Sequence, residues 1–311
     1  MPEMRKLGGS GLETPRLILG GNVFGWTADR DRSFAILDAF VAGGGNMIDT
    51  ADVYSSWAPG NKGGESETII GEWLRRRGRR DDVLIATKVG FKEGIGAAAI
   101  AAGAERSLER LGIETIDLYY THKDDPDAPL EATLGALDRL VKAGKVRAIG
   151  ASQIGPERLA EALDISAANG LAGYSVLQTW YNLVERPLFE GPLAEVAQER
   201  GVATVAFYSL ASGFLTGKYR STADLGKSVR GGGLAKYLTP QGLAVLAALD
   251  AVAAETGATP AQVALAWIAA QPGLAAPIAS ATSVEQVEEL LGAMELKLSA
   301  DQLARLGQAS Q

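Results

Sequence analysis

Eight short apolar runs recur along this chain, each followed by turn residues and then by an amphipathic stretch, and that alternation leaves few folds open. The runs are Leu17–Gly20, Asn46–Asp49, Val83–Lys88, Ile116–Tyr120, Val146–Gly150, Ser175–Gln178, Ala203–Phe207 and Ala275–Ile278. Helical patterns cover Asp31–Ala42, Glu65–Arg77, Ala97–Leu111, Leu188–Arg200, Gly242–Ala254, Ala261–Ala270 and Val284–Ala293. Two more have clear start signals. Leu130, Leu134, Leu137 and Val141 share one face after Pro129 and stop at Gly144, while Pro156 opens a helix whose Leu159 and Leu163 face inward. Strands alternating with helices and no low-complexity linker predict a parallel (β/α)8 barrel, one domain over residues 1–311. A doubly wound sheet is the competing fold. It fits less well, because no G-x-G-x-x-G follows an early strand and no Walker A pattern occurs. The longest irregular stretch, Ser209–Tyr237, follows the seventh run, and loops of that length inside a compact domain usually carry function.

Charge and composition then narrow the chemistry. With 30 Lys+Arg against 37 Asp+Glu the chain is acidic, so nucleic acid is not an expected partner. The absence of Cys removes disulfides, thiolate catalysis and Cys-ligated metal centres, and a single His removes His-paired metal motifs. No metal site is expected. Residues Met1–Lys6 lack the apolar segment of a secretory signal, so a cytoplasmic location is expected. The uncharged stretch between Glu255 and Glu285 is broken by Pro260, Pro272 and Pro277, which predicts a short buried helix at Ala261–Ala270 and no membrane span.

Barrel enzymes place their chemistry at the C-terminal ends of the strands. Asp49 ends the second run, Lys88 ends the third, His122 follows the fourth by two residues, and Tyr54 lies in the loop beyond Asp49. Each has a bland alternative: Asp49 as a turn cap, His122 as a satisfied structural residue, Tyr54 as an exposed loop aromatic. Lys88 ends an apolar strand and needs an acidic partner or water, since burying an unpaired ammonium is prohibitive; Asp49 is the obvious partner. Together the four form a coherent set. An ammonium beside Tyr54 is expected to stabilise its phenolate and lower its pKa, Asp49 to hold Lys88, and His122 to bond a substrate oxygen. That set suits protonation of a carbonyl oxygen while hydride arrives at carbon.

At these residues the chain resembles the aldo-keto reductases, over nearly its whole length. The matching segments are Asp49-Thr-Ala-Asp-Val-Tyr54, Gly64-Glu-Ser-Glu67 with Ile70-Gly71, Ala86-Thr-Lys88, Asp117-Leu-Tyr-Tyr-Thr-His122 and Gly144-Lys-Val-Arg-Ala-Ile-Gly150. The resemblance implies a (β/α)8 TIM barrel with an N-terminal β-hairpin and a long cofactor-covering loop after the seventh strand. It implies a catalytic tetrad of Asp49, Tyr54, Lys88 and His122, with Tyr54 as general acid/base. The implied cofactor is a nicotinamide nucleotide bound without a Rossmann domain. Ser152, Gln153 and Gln178 then fall where the carboxamide is bound, and Gly21, Asn22 and Val23 where the nicotinamide ribose lies.

Phe207-Tyr208-Ser209-Leu210, with Ser212, Gly213, Leu215 and Lys218, is similar to the family segment whose first aromatic stacks on nicotinamide and whose backbone and Lys bind pyrophosphate. The usual order is Tyr-Ser-Pro-Leu, so either Phe207 or Tyr208 takes the stacking role; ungapped alignment favours Phe207. Ser280, Thr282, Gln286 and Glu289 match the adenosine end. There, Ser280, Thr282 and Gln286 stand where many relatives have Lys or Arg for the 2′-phosphate, which implies a weakened preference for NADP(H) with NAD(H) also accepted. Trp26 and Trp57, joined by Trp180, lie in mouth loops and are expected to wall a pocket for a small carbonyl or alcohol substrate. Two other readings stay open: a Schiff-base lyase using Lys88, and a non-catalytic nucleotide-sensing partner subunit of the kind found among potassium-channel β subunits. Oligomeric state is not legible in the pattern.

Overall fold

The computed structural model describes residues 2–311. An antiparallel hairpin of β1 (Arg5–Lys6) and β2 (Glu13–Thr14) precedes eight parallel strands. These are β3 (Ile18–Gly20), β4 (Met47–Asp49), β5 (Leu84–Val89), β6 (Ile116–Thr121), β7 (Val146–Ser152), β8 (Val176–Trp180), β9 (Ala203–Phe207) and β10 (Leu274–Ala279). Each pairs with the next, and β10 returns to β3, so the sheet closes. The fold is a (β/α)8 TIM barrel.

Ten α-helices surround it: α1 (Arg30–Ala42), α2 (Glu65–Arg77), α3 (Ala97–Leu111), α4 (Leu130–Lys142), α5 (Pro156–Asn169), α6 (Pro192–Glu199), α7 (Pro240–Thr256), α8 (Pro260–Ala269), α9 (Val284–Leu291) and α10 (Ala300–Ala309). Their starts follow from local chemistry. Thr259 accepts from the Gln262 backbone while the Gln262 side chain reaches back to Thr259, and Asp29 accepts from the Arg32 N–H at 2.9 Å. α8 is buried along its whole length from Ala261, with Gln262 half-buried, which explains the uncharged stretch as a core helix. Among the described residues no single helix is long and apolar enough to cross a membrane.

Two expectations need correction, and one helix is added to them. The helix read over Leu188–Arg200 begins only at Pro192, after a 3-10 turn at Arg186–Leu188, because Pro192 lacks an N–H and disfavours helical space for the residue before it, Gly191, whose φ is 97°. Nothing in the sequence pattern above points to α10, although Ser299 and Gln302 form its capping box. The stretch Ser209–Tyr237 is not structureless, since it carries 3-10 helices at Ala211–Thr216, Thr222–Lys227 and Gly231–Tyr237.

The barrel interior is filled by alternate strand residues: Ile18, Met47, Ala86, Leu118, Tyr120, Ala148, Val176, Val205 and Ile278. Tyr120 is the bulkiest of these. A Cβ at Gly150, on the neighbouring strand, would lie 2.5 Å from its ring, so glycine there is what admits the tyrosine. Leu7 and Leu12 of the hairpin join the interior cluster from below and are fully buried or nearly so, each contributing roughly 1.5–3 kcal/mol of apolar burial. The hairpin therefore closes the bottom of the barrel.

Candidate active site

The alternation that fills the barrel also assembles the site. Two residues beyond each inward apolar position, at the opposite end of the strands from the hairpin, the next inward residue is polar or aromatic. Met47 leads to Asp49, Ala86 to Lys88, Tyr120 to His122, Gly150 to Ser152, Val176 to Gln178, Val205 to Phe207 and Ile278 to Ser280. Seven of the residues singled out by sequence thus come to one end of the barrel by strand parity alone.

Lys88 is fully buried and its ammonium has three acceptors: Asp49 Oδ2 at 2.6 Å, the Thr50 carbonyl at 2.7 Å and the Tyr54 hydroxyl oxygen at 2.9 Å. Tyr54 in turn donates to Asp49 Oδ2 at 3.3 Å, and Gln178 donates to Asp49 Oδ1 at 2.8 Å. The Tyr54 loop is short and braced, with the Tyr54 N–H on the Ala51 carbonyl and the Ser55 hydroxyl on the Phe24 carbonyl. His122 stands beside the Tyr54 ring, 5.9 Å between centroids, and its buried Nδ1 has no partner among the described residues.

The charges differ from the expectation in one respect. Tyr54 is not made more acidic: burial, followed by the Asp49 carboxylate, pushes its pKa well above the usual phenol value. Burial also lowers Lys88, and the Asp49 carboxylate opposes that shift. His122 is pushed well below its usual value by burial, with Lys88 adding to the effect, so the imidazole is neutral. The site therefore holds a protonated phenol and a neutral imidazole side by side at neutral pH. Because Tyr54 keeps its proton at neutral pH, it has one to give to an alkoxide developing on a substrate.

The segments matched to a nicotinamide nucleotide ring this centre. Gly21 N–H bonds to the Asp49 carbonyl at 2.7 Å, and a Cβ at Gly21 would lie 2.9 Å from Ser66 Oγ. Val23 is buried, and Asn22 accepts from Ser280 Oγ at 2.5 Å, which joins the first and last strands of the barrel. Ser152 is buried at the end of β7, paired in register with Gln178, while Gln153 is exposed with φ of 48° and donates to the His122 carbonyl. Phe207 faces inward among the interior residues, whereas Tyr208 turns out, with φ of 58°, and stacks on Trp180 at 4.0 Å and an interplanar angle of 4°.

Beyond it, Ala211, Ser212 and Gly213 all have positive φ, the Ala211 and Gly213 N–H groups bond to the Tyr208 and Leu210 carbonyls at 2.7 and 2.8 Å, and the Lys218 ammonium would lie 3.7 Å from a Cβ at Gly213. Holding two non-glycine residues there costs on the order of 1 kcal/mol each, and the Lys218 cation beside that turn suits an anion. Ser209 is buried and bonds back to the Ala206 carbonyl; Leu215 is buried in the core, and Leu210 packs half-buried against it. Thr282 donates twice to the Gln286 side chain, and Glu289 lies half-buried one turn further along α9. The residues present thus fit a dinucleotide, with Lys218 free of a carboxylate partner among the described residues.

Trp57 is exposed and meets Trp26 edge-on at 5.7 Å and Tyr54 at 6.0 Å, so the two indoles form one wall of the mouth. Trp180 belongs to the opposite wall through its stack on Tyr208, and Phe91 covers His122 at 4.9 Å.

The sequence pattern of the aldo/keto reductase family matches residues 16–311. The chain belongs to the aldo/keto reductase family. It is 35% identical over 288 residues to aldo-keto reductase str7 of Strobilurus tenacellus, covering 90% of this chain and 82% of that protein. It is 31% identical to L-glyceraldehyde 3-phosphate reductase of Escherichia coli (strain K12), covering 98% and 92%. It is 31% identical to aldo-keto reductase yakc [NADP(+)] of Schizosaccharomyces pombe, covering 81% and 74%. Family membership makes this aldo/keto reductase an oxidoreductase of carbonyl compounds, in a family that uses nicotinamide cofactors.

Several supporting residues escaped the sequence reading. Thr50 offers Lys88 its carbonyl and shares its hydroxyl with Ser66 at 2.8 Å, and Glu67, fully buried, accepts from Thr87 at 2.5 Å and from Arg110 at 2.7 Å. The Gly64-Glu-Ser-Glu67 segment was the available signal for these. Its partners lie on other elements, and no spacing rule names them.

Proposed function

We propose that this chain is an NAD(P)(H)-dependent carbonyl reductase in which Tyr54 is the general acid for reduction and the general base for alcohol oxidation. The observation that carries this reading is the chain of bonds from Asp49 through Lys88 to the Tyr54 hydroxyl, beside neutral His122 at the open end of the barrel. Asp49 orients Lys88, Lys88 aims an ammonium at the phenol oxygen, and His122 holds a substrate oxygen next to the Tyr54 proton. The nicotinamide nucleotide supplies hydride when bound. Ser152 and Gln178, buried and paired in register, are assigned to hold the carboxamide, and Phe207 is assigned the stacking role because it faces inward while Tyr208 is engaged by Trp180. Lys218, beside the turn from Ala211 to Gly213, holds the pyrophosphate.

At the adenosine end Ser280, Thr282 and Gln286 present hydroxyls and an amide in place of a cation, and these already bond to Asn22 and to one another. NADP(H) is favoured, in keeping with the NADP(+) in the name of the yeast relative, and NAD(H) is accepted at lower affinity. Trp26 and Trp57 shape the pocket for a small carbonyl substrate.

The lyase reading requires a free amine lone pair on Lys88. All three ammonium protons are engaged and the nitrogen is sealed from solvent, so nothing is available for attack. The sensor reading predicts bound NADPH that no carbonyl oxidises. A fluorescence titration with NADPH and NADH, followed by turnover of bound NADPH across aldehydes and ketones, tests the proposal. Binding with turnover supports it, binding without turnover favours the sensor, and absence of binding overturns it.

A further inference from the structure

We propose that Glu185 is a positioning residue: through Trp180 and Asn182 it turns Tyr208 away from the cofactor groove and leaves Phe207 as the one aromatic face offered to the nicotinamide ring. The inference rests on the reductase reading above. Glu185 lies in the loop after β8, and its two carboxylate oxygens face different groups. Oε2 accepts from the Trp180 indole N–H and from the Asn182 amide at 3.1 Å, while Oε1 accepts from the Lys236 ammonium at 2.9 Å.

Trp180 and Asn182 are the two side chains that hold Tyr208. The Trp180 ring stacks on the Tyr208 ring at 4.0 Å, and the same Asn182 amide nitrogen donates to the Tyr208 carbonyl at 3.1 Å. Asn182 is fully buried, and its amide oxygen accepts from the Val184 N–H at 2.9 Å, which fixes the orientation of the amide. Tyr208 needs such a hold. With φ of 58° it sits in the left-handed region, which a residue with a Cβ occupies only under constraint, and its ring is exposed, so core packing does not keep it there.

Trp180 also pairs in register with Phe207 across β8 and β9 and meets it edge-on at 5.6 Å. One indole thus contacts both aromatics, and its only polar atom is the one that Glu185 engages. Rotation of the indole would break that bond, unstack Tyr208 and withdraw the edge on which Phe207 rests.

The surroundings of Glu185 keep it ionised. Burial acts to raise its pKa, but the donors, Lys236 before Asn182 and Trp180, outweigh burial and hold the carboxyl below its usual range. Lys236 belongs to the 3-10 helix Gly231–Tyr237 at the return of the long loop, so a clasp on that loop is the competing role. Its side chain is 55% exposed, and an ion pair with so solvated a partner contributes little. The Oε2 side of the carboxylate therefore carries the role.

The test titrates the full-length parent, Glu185→Met, Glu185→Gln, Lys236→Met and Trp180→Phe with NADPH and with NADH. E185M should weaken both nucleotides by the same factor, about 10-fold, with their ratio unchanged because the defect lies at the nicotinamide end. E185Q, whose amide oxygen still accepts from Trp180, should bind within about twofold of the parent, and K236M likewise. Turnover should show the same split, with kcat down by about 10-fold or more in E185M, where the ring is misplaced, and restored in E185Q. In nucleotide-free protein the Trp180 indole N–H resonance should move in E185M and hold its place in E185Q. W180F, which leaves Glu185 and its ion pair intact, should repeat the binding loss, so an E185M that does not fold leaves the question decidable. Parent-like binding in E185M or W180F, equal losses in E185Q and E185M, or a K236M loss as large as that of E185M would overturn the proposal. A parent that binds neither nucleotide overturns the reductase reading and this role with it; a parent that binds, matched by E185M, removes the role of Glu185 alone.

Discussion

The Lys88 ammonium lies 2.9 Å from the Tyr54 hydroxyl oxygen and 4.5 Å from the centre of the same ring, so one cation addresses both the acid and its π face. In Tyr54→Phe the ring contact survives while the hydroxyl is lost, and with it the proton and the bond accepted from Lys88. Turnover should fall by about 10²–10⁴-fold, the usual worth of a positioned acid, with cofactor affinity unchanged. Steady-state kinetics and a cofactor titration on the same preparation check it; full activity in Y54F would sink the mechanism.

Asp49 and Lys88 are both buried, and each compensates the other. Removing only Lys88, as Lys88→Met, leaves a buried carboxylate with Gln178 as its remaining strong donor and should cost about 3–5 kcal/mol. The double variant with Asp49→Asn should regain much of that loss. Urea unfolding of the two variants measures it, and a single variant as stable as the parent would contradict the pairing.

At the adenosine end, a cation is missing where a 2′-phosphate would lie in the proposed complex. Ser280→Arg combined with Gln286→Arg should raise the NADPH-to-NADH affinity ratio by about 10-fold or more, the value of one added charge-assisted contact. Separate Kd measurements for the two nucleotides provide the check. An unchanged ratio would place the 2′-phosphate elsewhere.

His122 gives a pH signature with a definite sign. Because burial lowers its pKa in the folded protein, only the unfolded chain takes up a proton there as pH drops. The stability tied to the neutral ring is fully present above about 6.5 and is lost progressively below it. Thermal unfolding between pH 7.5 and 5 should show this decline flattened in His122→Asn, and parallel curves for the two proteins would refute it.

Strand parity explains how much of this was legible beforehand. Asp49, Lys88, His122, Ser152 and Gln178 each end or follow an apolar run, so a reader who identifies the runs also finds the residues that face the mouth. Tyr54 was legible only through its distance from Asp49 along the loop. What sequence did not yield is tertiary. The bond from Gln178 to Asp49 spans 129 residues, and the protonation of Tyr54 depends on burial that no local pattern records. The late start of α6 and the presence of α10 were local misses, of proline chemistry and of a capping box respectively.

The hairpin beneath the barrel has a consequence for how the interior is kept dry. Leu7 and Leu12 stopper one end, and Gly8 lies so close under β8 and β9 that a Cβ there would come within 2.3 Å of the Ser175 carbonyl. Any side chain at that position would have to lift the ribbon off the strand ends, so the seal on the barrel's apolar interior hangs on one hydrogen atom on the far side of the molecule from the chemistry.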